Sequence, residues 1–450
     1  MKANLESAYT LLHEGSRALA DMEFNGIRID EKYCVKLDKE LEKQIHGLRS
    51  AVAASETGKI WKKLTGDKFN IGSNDQLGRV LFDEMGVDPP KKTAKGNWST
   101  DQEALEGIDL PVISDLLQMR KLEKARGTYL NAFLREVVNG FVHPSFPLHL
   151  VKTYRGSSEG PNFQNIPIRD PEIGKMLRQA IIPRSKKRQI LELDISGAEV
   201  RVGCGYHHDP RMIEYTNDST KDMHRDMAME CYKLEKSEVG KWIRHCGKNM
   251  FVFPQFYGDY YAHCAENMWK ACDQLDLKTN SGTPLKKHLR EVGIKSLGMF
   301  ERHVKGVEGD FWNRRFKVYT QWKKNHFKAY LDRGYIDTLT GFRCSGVMSF
   351  KDAVNYPIQG SAFHCNLWAL IQLNDWLQDN DMESVIICQI HDSIILDIIP
   401  EERDEIIAEV IEIMTVDLLN HWDWINVPMV VEFEIAPPGS SWCDVEEYQC

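Results

Sequence analysis

Two aspartates in this 450-residue sequence stand at the ends of apolar runs. Asp194 follows Leu191-Glu192-Leu193 in ILELDISGAEVRVG (190–203), which begins as a buried strand. Asp392 lies in VIICQIHDSIILDII (385–399), two apolar strands meeting at a polar tip, His391-Asp392-Ser393. Packing explains such carboxylates poorly, because an unpaired buried charge is costly. If the strands share a sheet, both aspartates face one cleft. Paired Mg²⁺ ions need such hard oxygen donors, with the other coordination positions left to water and substrate phosphates. Two ions so held clamp the attacking and leaving oxygens of an in-line phosphoryl displacement. Taken singly, each aspartate reads as the cap of the turn that follows its strand.

The surroundings add to the pair. Asp194 opens a D-x-S-x-x-E-x-R pattern with Ser196, Glu199 and Arg201. Arg244 and Lys248, four apart on a predicted helix, share one face and can grip one triphosphate. Phe253-Pro-Gln-Phe256-Tyr257-Gly258 follows, and Gln389-Ile390-His391-Asp392 closes the set. In this order the three segments resemble motifs A, B and C of the family A DNA polymerases, in a Klenow-like, phage-type form.

Further segments resemble the same family in the same order. Met22–Asp30 looks like the approach to its polymerase region, and Phe69–Leu77 with Val80–Glu84 resembles its thumb. Thr153–Ser158 and Pro161–Arg169 look like its primer–template segment, and Thr338–Arg343 and Asn355–Gly360 precede the last motif as they do there. The resemblance implies an α+β fold of right-hand architecture, with an antiparallel-sheet palm and mostly helical thumb and fingers. Its divisions fall at 1–34 (a helix leading into the palm), 35–150 (thumb), 151–205 (palm), 206–350 (fingers) and 351–450 (palm).

By the same resemblance, Asp194, Asp392 and the Ile195 carbonyl hold two Mg²⁺ ions, with Mn²⁺ as the alternative. Lys248, Arg244 and His224 hold the dNTP phosphates, and Lys248 serves as general acid toward departing pyrophosphate. Phe253 stacks on the incoming base. Glu199 and Tyr257 exclude a 2′-hydroxyl. Arg155, Gln359 and His391 meet the minor-groove edge of the primer–template, where purine N3 and pyrimidine O2 accept from every base pair. Asn162, Gln164, Asn165, Arg169 and Asn355 complete the DNA contacts. The reaction implied is template-directed DNA synthesis in replication, in the cytoplasm of a bacterial or phage-infected cell. A separate exonuclease or processivity factor is a further partner. The D-x-E of Asp21-Met-Glu23 lies in the thumb approach, so the chain is expected not to proofread.

Two departures from the family pattern stand out. Nine residues usually separate the motif B Lys from its Gly, whereas Lys248 to Gly258 is ten. One extra residue turns a helix by 100°, so a single-turn π-bulge is expected between Lys248 and Phe253. Ser393 stands where a Glu usually follows His-Asp, which predicts modestly weaker metal affinity.

The elements that position these residues are legible in outline. Helix is expected over 1–50, over 115–138 and through most of 220–335, where Trp312, Phe316 and Tyr319 form an aromatic stripe read as core. Residues 140–185 are irregular, and Leu275–Met299 looks like an insertion in the fingers. The net charge of −9 argues by itself against nucleic acid, but its distribution argues the opposite. From residue 379 onward there are eighteen Asp and Glu against Arg403 alone, net −17, so residues 1–378 carry +8. A phosphate-binding surface needs a local field, and 281–351 alone carries +9. Eleven cysteines without a C-x-x-C pair indicate reduced thiols in a soluble intracellular protein, and no apolar run approaches the roughly 20 residues of a membrane span.

Two other readings use the same residues. A single-subunit RNA polymerase shares the palm and metal pair, but Glu199 occupies the room a ribose hydroxyl needs. A catalytically inactive DNA-binding homologue would have lost its carboxylates, and both are present.

Overall fold

The computed structural model describes residues 4–89, 91–93, 95–167, 170, 172–218 and 220–449. Its centre is a five-stranded antiparallel sheet. The strands are β1 (Gln189–Ile195), β2 (Val385–Ile390), β3 (Ser393–Ile398), β4 (Val431–Ile435) and β5 (Glu446–Tyr448), in the spatial order β2-β3-β1-β4-β5. Ile190, Leu191, Leu193 and Ile195 bury β1 between its neighbours. The register sets Asp194 opposite Ser393 on one side and Glu432 on the other. Because β2 and β3 pair Ile390 with Ser393, the hairpin turn is His391-Asp392 alone, and it abuts the end of β1. His391 takes φ +53°, a left-handed conformation uncommon for a residue with a side chain.

Behind the sheet runs the Phe350–Asp379 helix, opened by a Ser349/Asp352 capping box and buried around almost its whole circumference. It carries Asn355 and Gln359. A Cβ on Gly360 would lie 2.3 Å from the Thr153 carbonyl, so glycine there lets the Thr153–Arg155 segment cross the helix at close range. The Leu5–Asn25 helix packs along this long helix.

The helix expected over 1–50 is present as two helices with a break between them. Gly26 at φ +67° ends the first, Ile27–Arg28 pairs with Phe141–Val142, and Asp30 caps the second, Glu31–Ala54. The physical reason is local: a left-handed glycine followed by a helix-capping aspartate. Residues 111–136 are helical as expected, with a π segment at Ala125–Leu130.

A second hydrophobic core gathers helices between 204 and 322 around Tyr232, Phe251, Phe300, Phe311 and Phe316. The aromatic stripe belongs to it, with Phe316 and Tyr319 buried. No helix among the described residues is long and apolar enough to cross a membrane. The ten described cysteines are free.

Candidate active site

Between the sheet's hairpin end and the second core opens a cleft of about 430 Å³. Eleven of the expected residues line it: Arg155, Asp194, Ile195, Glu199, Lys248, Phe253, Tyr257, Asn355, Gln359, His391 and Asp392. Asp194 and Asp392 approach from the sheet side, Lys248, Phe253 and Tyr257 from the helical side.

Both aspartates are pushed up to about 6. For Asp194 the causes are burial and then the charge of Asp392. For Asp392 the cause is burial, which Arg155 partly opposes. Asp392 Oδ1 is buried without a hydrogen-bond partner, while Ser393 Oγ donates to Asp194 Oδ1 at 3.2 Å. A carboxylate oxygen in that state fits a hard cation, which would repay its desolvation. No cluster of three or more metal-binding side chains forms among the described residues. Two protein carboxylates therefore leave most of a cation's coordination sphere to water and substrate oxygens.

Glu199 joins the two sides. Its Oε1 lies 3.2 Å from Arg155 Nη2, and its Oε2 accepts from the Tyr257 hydroxyl at 3.2 Å. The same guanidinium reaches to 3.8 Å of Asp392 Oδ1. Arg155 is thus held by two acids at the floor of the cleft.

Lys248 and Phe253 belong to a continuous helix, 241–256, whose middle turn Gly247–Val252 is a π-helix. Phe253 N donates to Lys248 O, five residues back, so the tenth residue is absorbed within one wide turn. That turn also eases Pro254, which lacks an N–H and crowds the carbonyl four residues earlier in a regular helix. Phe253 faces the cleft with the Lys248 ammonium 5.2 Å from its ring centre, whereas Phe251 is fully buried against Phe311. Arg244 pairs with Asp222 at 2.5 Å and lies 3.5 Å from His224 Nδ1. Burial and the Lys248 and Arg244 charges push His224 down to about 4, so it is neutral at pH 7. Its ring meets Phe253 edge-on at 5.7 Å. Arg244 and His224 stand beside the cleft and do not line it.

The remaining expected contacts are engaged elsewhere. Gln164 Nε2 donates to the Gln389 carbonyl and side chain, and its Oε1 accepts from His391 N at 2.9 Å, which clamps the hairpin tip. Asn162 caps the short turn that holds Asn165, whose carbonyl accepts from Tyr129 at 2.6 Å; neither lines the cleft. Arg169 lies outside the described residues. Asp21 and Glu23 sit in the Leu5–Asn25 helix and accept from Asn374, Gln378 and the Phe146 amide. Sequence reasoning missed His207, Phe256 and Tyr319 as lining residues. His207 is held down to about 3 by burial and packs at a tilt against Tyr319, ring centres 4.2 Å apart.

A sequence model of DNA polymerase family A matches residues 33–273 and 309–444. The chain belongs to DNA polymerase family A. DNA polymerase I of Bacillus subtilis (strain 168) is 29% identical over 439 residues, 95% of this chain and 44% of that protein. The thermostable DNA polymerase I of Thermus aquaticus is 28% identical over 449 residues, 96% and 48% respectively. The chain spans about half the length of the curated relatives it matches. The POL domain of Pol1 from M. smegmatis, solved with DNA primer-template and dNTP, aligns at a TM-score of 0.76 and 26% identity over 96% of this chain and 70% of that one. The fold is accordingly the α+β right-hand architecture of family A, with the five-stranded sheet as its palm. The family match breaks at 274–308, a stretch that includes Leu275–Met299.

Proposed function

We propose that this chain carries out template-directed 5′-to-3′ DNA synthesis from dNTPs on a primer 3′-hydroxyl. The observation that carries the reading is the pair Asp194 and Asp392, half-buried at adjacent strand ends across a cleft from Lys248. Membership of family A supports it, as does a structural relative solved in complex with primer-template DNA and dNTP.

Asp194 and Asp392, with the Ile195 carbonyl, would hold two Mg²⁺ ions, or Mn²⁺ in their place. Those ions would supply charge neutralisation and activation of the primer hydroxyl. The protein's own part is positioning and electrostatics, since phosphoryl transfer leaves it little covalent chemistry. Lys248 and Arg244 present cations to the triphosphate, and neutral His224 can donate a hydrogen bond there. Lys248 donates a proton to departing pyrophosphate. Phe253 offers a face to the incoming base. The Glu199–Tyr257 hydrogen bond closes the space a 2′-hydroxyl would take, which favours deoxynucleotides over ribonucleotides. Arg155, Gln359, Asn355 and His391 lie along the floor where the primer terminus would pair with its template. Asn162, Gln164 and Asn165 support that floor through the hairpin tip and its neighbouring turn. With Asp21 and Glu23 held inside a helix, these residues supply no proofreading. A replicative role in the cytoplasm of a bacterial or phage-infected cell, in company with a separate exonuclease or processivity factor, belongs to the same reading.

The test is primer extension by the wild type, Asp194→Ala and Asp392→Ala in Mg²⁺, with DNA binding measured in parallel. The expected result is dNTP incorporation by the wild type and near-complete loss in each variant, with DNA binding retained. Substantial extension by either variant refutes the site, and ready rNTP use by the wild type would favour an RNA polymerase.

A further inference from the structure

The helix that carries Lys248, Phe253 and Tyr257 has its weakest internal ladder around residue 254. The π turn has just ended at Val252, and Pro254 donates no hydrogen bond. Gln255 follows at once. It is two residues from both Phe253 and Tyr257, about 200° round the helix from each, and therefore faces the second core and not the cleft. An apolar side chain would pack there at no polar cost. Gln255 is instead an amide only 2% exposed, which is tolerable only if its polar atoms are matched.

They are matched by elements distant in sequence. Gln255 Nε2 donates to Glu308 Oε1 at 2.8 Å and contacts Cys264 Sγ at 3.6 Å. Its Oε1 accepts from Trp312 Nε1 at 2.7 Å. The Lys323 ammonium sits 3.2 Å from the centre of the Trp312 ring and 5.1 Å from that of Tyr319, a cleft-lining residue. Phe256, also on the cleft, packs on Trp312 at 6.0 Å and on Tyr319 at 6.2 Å. Glu308 lies in the Leu297–Asp310 helix, within the stretch 274–308 that the family pattern does not match.

Apolar contacts let a helix roll by small amounts, whereas a two-sided amide fixes both rotation and translation. We propose that Glu308 and Gln255 are positioning residues: the Leu297–Asp310 helix braces the nucleotide-gripping helix and sets the angle at which Phe253 and Tyr257 meet the incoming nucleotide. This rests on the polymerase reading above, and it assigns to the unmatched segment a part in nucleotide selection.

The test compares wild type with Glu308→Ala, Gln255→Met and Glu308→Gln in primer extension. The readouts are KM for dNTP, kcat, the preference for dNTP over rNTP, and primer–template affinity. Glu308→Ala and Gln255→Met are expected to raise the dNTP KM about tenfold, the effect of stranding or deleting one buried amide. Their preference over rNTP should fall, with primer–template affinity within about twofold of wild type. Glu308→Gln keeps an acceptor oxygen and should stay within about threefold of wild type on every readout. Should Glu308→Ala fail to fold, Gln255→Met, which fills a similar volume, carries the same readouts. A lowered melting temperature with unchanged KM and selectivity in Glu308→Ala or Gln255→Met would show a merely structural contact and overturn the brace. A wild type that extends no primer would instead overturn the reading on which the brace rests.

Discussion

Replacing Asp392 by asparagine should stabilise the metal-free protein while abolishing its chemistry. Asp392 is half-buried, its Oδ1 is shut off from solvent with no hydrogen-bond partner, and its carboxyl is pushed up to about 6. An ordinary aspartate in the unfolded chain titrates near 3.9. A folded value above the unfolded one means that ionisation opposes folding. The penalty is absent well below pH 4, grows as the pH rises through both values, and is complete above about pH 7. At 1.36 kcal/mol per pH unit between the two values, the full cost is on the order of 2–3 kcal/mol at pH 8 and about half that at pH 5. The neutral amide of Asp392→Asn would carry none of it and would also relieve Asp194, whose carboxyl Asp392 helps to push up. Arg155 would keep its Glu199 partner at 3.2 Å, so no new buried charge is stranded. For a chain this long the gain corresponds to about 2–3 °C. The assay is thermal unfolding in EDTA at pH 8 and pH 5, then at pH 8 with millimolar Mg²⁺. Asp392→Asn should melt above wild type at pH 8, by less at pH 5, and Mg²⁺ should raise the wild type alone, since only the wild type keeps both carboxylates proposed to hold it. A variant that melts below wild type at pH 8, or a difference that grows toward pH 5, would refute the reasoning.

Two further outcomes follow from single contacts. Ser393→Ala removes the hydrogen bond to Asp194 and should raise the half-saturating Mg²⁺ for primer extension about two- to fivefold, whereas Ser393→Glu should lower it; an unchanged Mg²⁺ dependence in both would show that this position does not bear on the metals. Gly247→Ala would put a Cβ 2.4 Å from the His224 carbonyl and 2.8 Å from Ala228 Cβ, so urea unfolding should show a loss of about 1–3 kcal/mol. Gly306→Ala, with open space around it in a helix, should be neutral or slightly stabilising, and equal losses in the two would contradict the crowding argument.

The parts of the site that sequence reveals are those encoded within one element. Asp194 and Asp392 stand out because an apolar strand ends in a charge, and the two-residue hairpin follows from the two runs on either side of it. The π turn was readable from a count of ten where nine is usual, since helical geometry converts a residue count into an angle. What stayed hidden depends on docking between distant elements. Gln164 carries no local sign of the hairpin tip, 227 positions later, that it clamps; the resemblance made it a DNA contact instead. Tyr319 reads as core, and it is, yet one side of it also lines the cleft. The break at Gly26 was a different failure: glycine followed by Asp30 was a local signal, outweighed by helical spacing on both sides.

The wide turn at Gly247–Val252 has a consequence for how this chain is compared with its relatives. Arg244 and Lys248 keep their mutual phase before it, and Phe253 and Tyr257 keep theirs after it, so each pair is intact and only the offset between them has changed. Any residue-to-residue correspondence must therefore open its one-position gap inside 249–252. A gap placed later would hand the role of Phe253 to buried Val252, one placed earlier would hand that of Lys248 to Asn249, and a substitution designed on that basis would test the wrong side of the helix.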